Sequence, residues 1–277
     1  MILDAHAHIF PQAIAQKAAG SIGHFYDTSG CGATRGDGTA QMLIADGAKV
    51  GVTAFCVHSV ATTPHQVDSI NRFLAAQMQA YPGTLFALGA LHPDSPDIAG
   101  DVARLEEAGL LGVKLHPDMQ RFPIDGEASI RMLSHIAGRL PLLVHAGDCR
   151  YHYSNPAQIA RLMDALPDLT VIAAHMGGYS EWEEAVRCLA GRGENLFVDC
   201  SSTMFAHTDA QMLDLIHAFG ARQVLFGSDY PMWLPSQELP AFQRLVLTEQ
   251  EREDIEWNNA LRIPVLGKAL SQLERRN

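Results

Sequence analysis

The chain is predicted to fold as a single (β/α)₈ TIM-type barrel spanning residues 1–277, and three observations predict it. Eight short apolar runs recur along the 277 residues, segments of helical period separate most of them, and no linker or low-complexity block divides the chain. Unbroken apolar runs without polar alternation are what strands covered on both faces look like. Eight of them alternating with helices in a chain of this length favour a closed barrel over an open doubly wound sheet. An open sheet would also be expected to carry a glycine-rich phosphate turn after its first strand, where this chain has His-Ala-His-Ile-Phe.

The first run, Ile-Leu-Asp-Ala-His-Ala-His, places Asp4, His6 and His8 at alternate positions. Side chains on a strand alternate faces, so these three are expected to point one way and Leu3, Ala5 and Ala7 the other, with Asp4 deeper in the barrel as a buried hydrogen-bond partner. Residues 10–45, with the glycine-rich Thr-Ser-Gly-Cys-Gly-Ala-Thr-Arg-Gly-Asp-Gly inside, are read as an inserted loop over the barrel mouth, since ordinary connections are much shorter. The remaining strands are expected at 52–57, 85–91, 110–115, 141–146, 170–175, 195–200 and 223–229. Between them, Ile70, Phe73, Leu74 and Met78 form one helical stripe, and Ile130, Leu133 and Ile136 a second. Ile159, Leu162, Met163 and Leu166 form a third, and Met212, Leu215, Ile216 and Phe219 a fourth. Gly109, Pro141, Pro167 and Gly220 supply helix stops.

A formal net charge of −11 argues against nucleic acid or an anionic membrane surface as partner without identifying a substrate; a small-molecule substrate is expected. Five scattered cysteines without Cys-x-x-Cys spacing fit a reducing compartment, so a cytoplasmic location is expected. No apolar run is long enough to span a bilayer, and no secretory leader is recognisable. The acidic stretch 248–259 is read as a solvated helix face, and Asp-Tyr-Pro-Met-Trp-Leu-Pro (229–235) as a pocket wall or a homodimer contact.

Chemistry in such barrels gathers at the carboxyl ends of the strands. There the sequence offers His6 and His8, then His58, His92, Lys114 with His116, His145, His175, Asp199 and Asp229. Buried polar groups are costly unless paired or bound to something, so a shared divalent ion is the economical explanation of this ring. Imidazoles with a carboxylate suit Zn²⁺ first, with Mn²⁺, Fe²⁺ or Co²⁺ at comparable geometry.

The ordered motifs Asp-Ala-His-Ala-His, Gly-Val-Lys-Leu-His-Pro, Leu-Leu-Val-His-Ala-Gly, Ile-Ala-Ala-His-Met-Gly-Gly and Leu-Phe-Gly-Ser-Asp-Tyr-Pro resemble those of the amidohydrolase-related metal-dependent hydrolases. That branch also contains aminocarboxymuconate-semialdehyde decarboxylase. The resemblance implies that His6, His8, His145 and Asp229 hold one metal ion, that His175 acts in proton transfer, and that Asp229 shares the base role. It implies for Lys114 either carboxylation between two metals or a substrate-binding role. One metal is preferred here, with Lys114, His116 and His58 as substrate-binding residues. The activity expected first is hydrolysis of a small ester, lactone or amide through a metal-activated water. The alternative is non-oxidative decarboxylation of a small aromatic or unsaturated acid, with Arg35, Arg121 and Arg150 weighed as the carboxylate clamp.

Overall fold

The structure is a computed structural model and describes residues 1–26 and 33–275. Its staves are β1 (Leu3–His8), β2 (Ala54–His58), β3 (Leu85–Ala87) with β4 (Gly89–Ala90), β5 (Val113–Leu115), β6 (Leu142–Val144), β7 (Val171–Ala173), β8 (Leu196–Asp199) and β9 (Val224–Leu225). The helices are α1 (Ala15–Tyr26), α2 (Ala40–Ala48), α3 (Val67–Ala80), α4 (Ile98–Glu107), α5 (Pro117–Gln120), α6 (Glu127–Ser134), α7 (Pro156–Ala165), α8 (Trp182–Leu189), α9 (Asp209–Phe219), α10 (Pro235–Gln243), α11 (Glu249–Glu253), α12 (Asn259–Leu261) and α13 (Leu266–Glu274). β3 and β4 are one stave interrupted at Leu88, so each of the eight expected strands is present.

All strand pairs are parallel, in the order β1-β2-β3 and then β4 through β9. The seam closes where Ala5 N donates to Phe226 O at 2.9 Å and Asp229 N donates to His6 O at 2.8 Å. The barrel therefore closes without a free edge.

The strands explain why their sequences lack polar alternation. One set of side chains, including Val57, Val113, Val144, Val171 and Val198, packs outward under Leu74, Leu105, Leu133, Leu162 and Ile216 of the surrounding helices. The other set, including Cys56, Leu88, Leu143, Ile172 and Phe197, packs inward and meets Trp257, Ala260, Ile263 and Leu270. The stretch 248–259 is thus not only a solvated face. Its middle winds into a π-helical turn (Asp254–Asn258) that buries Ile255 and Trp257, while Asn259 Nδ2 donates to Ala221 O and Val224 O at 2.8 and 2.7 Å. The acidic residues gave the segment its surface look; the apolar ones close the lower end of the barrel.

Two further expectations change. β1 carries a bulge: Asp4 pairs with Phe55 and Ala7 with Val57, so Ala5 and His6 together oppose Cys56. Leu3 and Ala5 face the inner core while Ala7 joins the outer one. Asp4 therefore shares its face with Phe55, not with His6 and His8. Residues 10–45 are not a loop but chiefly two helices, α1 and α2, and part of the glycine-rich centre, 27–32, lies outside the described residues. In 229–235, Tyr230 and Met232 are buried inside the chain, and the Tyr230 hydroxyl donates to Asp37 Oδ1 at 2.9 Å. Among the described residues no helix is long and apolar enough to cross a membrane.

Candidate metal centre and cavity

The strand ends floor a cavity of about 870 Å³. His6, His8, Lys114, His116, His145, His175 and Asp229 all line it, so seven of the eight residues singled out in the sequence meet in one place. His58 does not line it. It is completely buried beside His6 and His8, with ring centroids 4.8 and 4.3 Å away, and the substrate-binding role expected for it has no surface to act on. His92, weighed as a pocket residue, packs on Phe122 instead. Of the histidines read as surface, His24, His65, His135, His152 and His217 are exposed and His207 is half-buried against Trp182.

The polar groups fall into two clusters. In the first, Asp229 Oδ1 lies 3.4 Å from His6 Nε2 and 3.6 Å from His8 Nε2, Lys114 Nζ lies 3.1 Å from His6 Nε2, and His58 stands behind. His6 Nδ1 donates to Asp199 Oδ2 at 2.9 Å, a fully buried contact that leaves Nε2 as the nitrogen facing the cavity. Ser202 Oγ donates to Asp229 Oδ2 at 2.5 Å. Burial raises the Asp229 carboxyl and lowers the Lys114 ammonium, so both are driven towards their neutral forms.

In the second cluster His116 and His145 stack face to face, with centroids 3.9 Å apart and planes 7° from parallel. Tyr26 brings its hydroxyl to 2.8 Å from His116 Nε2, and Asp118 Oδ2 lies 3.8 Å from His145 Nε2. Burial raises the Asp118 carboxyl to about 7. His175 joins the clusters: its ring stacks 5.1 Å from His6, its Nε2 lies 3.0 Å from His145 Nδ1, and its Nδ1 lies 3.0 Å from the Ser201 carbonyl. Burial lowers His175 to about 4, so it is neutral. A neutral ring donating Nδ1–H to that carbonyl must accept at Nε2 from His145, which leaves His145 Nε2 as a lone pair.

Backbone strain aims these groups. His175, Met176 and Asp229 have φ of 58°, 51° and 60°, the left-handed region that side chains other than glycine avoid. The turns at the ends of β7 and β9 direct the His175 imidazole and the Asp229 carboxylate into the cavity.

The donor chemistry fits a divalent ion. Three trios of buried His and Asp lie close enough to hold one: His6, His8 and His58; His6, His175 and Asp199; and His116, Asp118 and His145. Both nitrogens of His58 and Nε2 of His145 are buried without a partner, which is costly unless something binds them. The His116 trio fits poorly. Imidazole lone pairs lie in the ring plane, and two nearly parallel planes do not converge on one ion.

Sequence reasoning left four contributors without a role. Tyr26, Asp118, Ser201 and Ser202 reach the site through tertiary contact, and only Tyr26 had a usable signal. Ile14, just before α1, and Ala18, Ile22 and Phe25 on it, spaced by four and three, line the cavity. Of the weighed arginines, Arg150 is held by Asp148 at 2.8 and 2.6 Å, and Arg35 lies over Trp233 at 5.6 Å. Arg121 lines the cavity and is exposed to solvent.

Comparison with known proteins follows this geometry. An uncharacterised TIM-barrel protein from Bordetella bronchiseptica superposes with a TM-score of 0.78 at 19% identity, covering 99% of each chain. A dihydroxybenzoic acid decarboxylase from Polaromonas sp. JS666, with bound manganese and the inhibitor 2-nitroresorcinol, gives 0.71 at 15% identity over 96% of each chain. A protein provisionally described as a 2-pyrone-4,6-dicarboxylic acid hydrolase, from Pseudomonas putida, gives 0.64 at 20% identity, covering 99% of this chain and 98% of that one. No match was found among curated proteins. At such identities the likeness concerns the fold. The sequence itself matches the family model described as Amidohydrolase over residues 3–263, and the chain belongs to that family.

Proposed function

We propose that this protein is a metal-dependent decarboxylase of a small aromatic or unsaturated carboxylic acid. The observation that carries this reading is Arg121, an exposed guanidinium that lines a cavity whose walls are largely apolar and aromatic. Ile14, just before α1, Ile22 and Phe25 of α1, and Ile70 and Phe73 of α3 all line it. An apolar ring suits these walls, and a carboxylate suits the cation. The decarboxylase among the related folds points the same way, so the order of the two activities expected from sequence is reversed.

His6, His8 and Asp229 would hold the ion; His145, which the family resemblance counts as a further ligand, stands in the second cluster with its Nε2 unpartnered and turned to Asp118. A bound divalent ion supplies Lewis-acid polarisation of an oxygen substituent next to the carboxylate. Manganese and zinc both suit this donor set. Arg121 orients the substrate, the apolar walls exclude water, and Lys114 and His116 stand where they can contact polar substituents. Asp229 stands beside the ion and is the group proposed to carry a proton to the carbon that bears the carboxylate. The C–C bond to the carboxylate breaks, CO₂ departs, and the electron pair left on carbon takes up that proton. His175 contacts both clusters and returns a proton to the site. The cell compartment proposed is the cytoplasm, with a small molecule as the partner.

The test is a panel of hydroxybenzoates and unsaturated acids incubated with metal-loaded protein in D₂O. Release of CO₂ with deuterium at the vacated carbon is the expected result. Acid release from lactones or esters without CO₂ would instead establish hydrolysis, the second reading, which the pyrone hydrolase fold keeps in view.

A further inference from the structure

We propose that His58 is a metal ligand, the imidazole that completes the His6 and His8 pair from beneath. The motif resemblance assigns it nothing. This inference rests on the reading that the first cluster holds an ion, and its test separates the two.

Three observations carry it. His58 is fully buried, and neither Nδ1 nor Nε2 has a hydrogen-bond partner, so one donor and one acceptor are stranded in the interior. A histidine kept for packing alone would be expected to bond at least one nitrogen, as His6, His92, His116, His145 and His175 do. His8, the exception with no hydrogen bond of its own, lies 3.6 Å from Asp229.

The rings are also set to converge. The His58 plane lies at 70° to His6 and at 89° to His8, and His6 lies at 50° to His8. Planes crossed in this way can share a point, unlike the stacked pair of His116 and His145. The ligand atoms of the three rings lie within 4.8 Å of one another. Two nitrogens at about 2.1 Å from one tetrahedral ion are roughly 3.4 Å apart, so small ring rotations close the set. Lastly, His58 sits behind the cavity lining, where it can reach an ion held by His6 and His8 but no substrate. β2 places it there because His58 is the register partner of His8.

Three imidazoles with Asp229 form a more nitrogen-rich set than two, which shifts preference from Mn²⁺ towards Co²⁺ and Zn²⁺. The test uses metal-depleted protein titrated with Co²⁺, read by its visible absorption and by competition with a chromophoric chelator, in the parent, His58→Ala and His58→Leu. At least tenfold weaker Co²⁺ binding in both variants, with a changed cobalt spectrum, is expected. His58→Leu also guards against a folding artefact. Removing a stranded polar ring should leave the metal-free Tm equal or higher while abolishing most of the rise on adding Co²⁺. Parent-like affinity and spectrum in the variants overturns the His58 assignment alone. A parent that binds no Co²⁺ overturns the metal reading and this inference together.

Discussion

Replacing Asp199 by Asn removes one charge at a place where geometry fixes the consequence. The Asp199 carboxylate is fully buried; Oδ1 accepts from His175 N at 3.2 Å, from Ser201 N at 3.1 Å and from the Ser201 hydroxyl, while Oδ2 accepts from His6 Nδ1 at 2.9 Å. An asparagine keeps the two backbone donors satisfied only if its carbonyl takes the Oδ1 side, which turns its NH₂ towards His6 Nδ1. Two donors would then face each other unless His6 moves its proton to Nε2, the nitrogen meant to ligate. Either result weakens ion binding.

Loss of such a partner behind a ligating histidine costs about 10–100-fold in metal affinity, which at about 1.4 kcal/mol per tenfold is roughly 1.4–2.7 kcal/mol. Competition against a chromophoric chelator measures it, and a thermal melt of the metal-free variant controls for folding. Ion affinity within twofold of the parent, in a folded variant, would refute the argument that Asp199 sets the His6 tautomer.

Other residues give independent checks. Burial raises Glu238 to about 8 from 4.5, so the folded chain holds this proton more tightly than the unfolded one. Its contribution is fully present below pH 4.5 and is lost as pH rises towards 8; Glu238→Gln should shrink that loss by about 3–5 kcal/mol in urea melts of metal-free protein across the window. Arg121→Gln should raise KM for a carboxylated substrate by about 10–100-fold, the effect of losing a charge-assisted bond, and leave ion affinity unchanged in the same chelator assay. Gly36→Ala would set a Cβ 2.2 Å from Cε2 of the buried Tyr230 ring, whose hydroxyl is bonded to Asp37 and Gly38 N. That overpacking should cost roughly 1–3 kcal/mol, read as a lowered Tm.

What the sequence made legible follows from how far apart the causes lie. The strands and the helices α3, α6, α7 and α9 announce themselves because burial on two faces or on one stripe is written in neighbouring residues. α1 hid because its buried stripe before Tyr26 is Ala15, Ala19 and Gly23, and its larger apolar stripe, Ala18, Ile22 and Phe25, lines the cavity beside a glycine-rich segment that reads as loop. The β1 bulge left no sign, since one extra residue in a strand has no composition of its own. It separated Asp4 from His6 and His8, and the carboxylate that meets His6 is Asp199, from a strand 193 residues away. His58 was recognised as a strand-end residue, but only the packed structure shows that it stands against His6 and His8 and not at the cavity.

The split between clusters leads to a last prediction. His116 and His145 lie too nearly parallel to share an ion, and His116 Nδ1 already accepts from Met119 N at 3.3 Å. The proton on its Nε2 is therefore given to the Tyr26 oxygen at 2.8 Å, which makes His116 a positioning group for a phenol at the cavity wall. His116→Phe keeps a flat ring against His145 and removes both nitrogen contacts. Ion affinity should stay within twofold, because the ligand cluster is untouched, while kcat/KM falls by roughly 10²-fold as the Tyr26 hydroxyl loses its anchor at the cavity wall, and His116→Gln, which keeps a donor, should recover part of it. A variant that instead loses its ion while keeping its fold would show the two clusters to be one metal site and would remove the division of labour argued from the stacking angle.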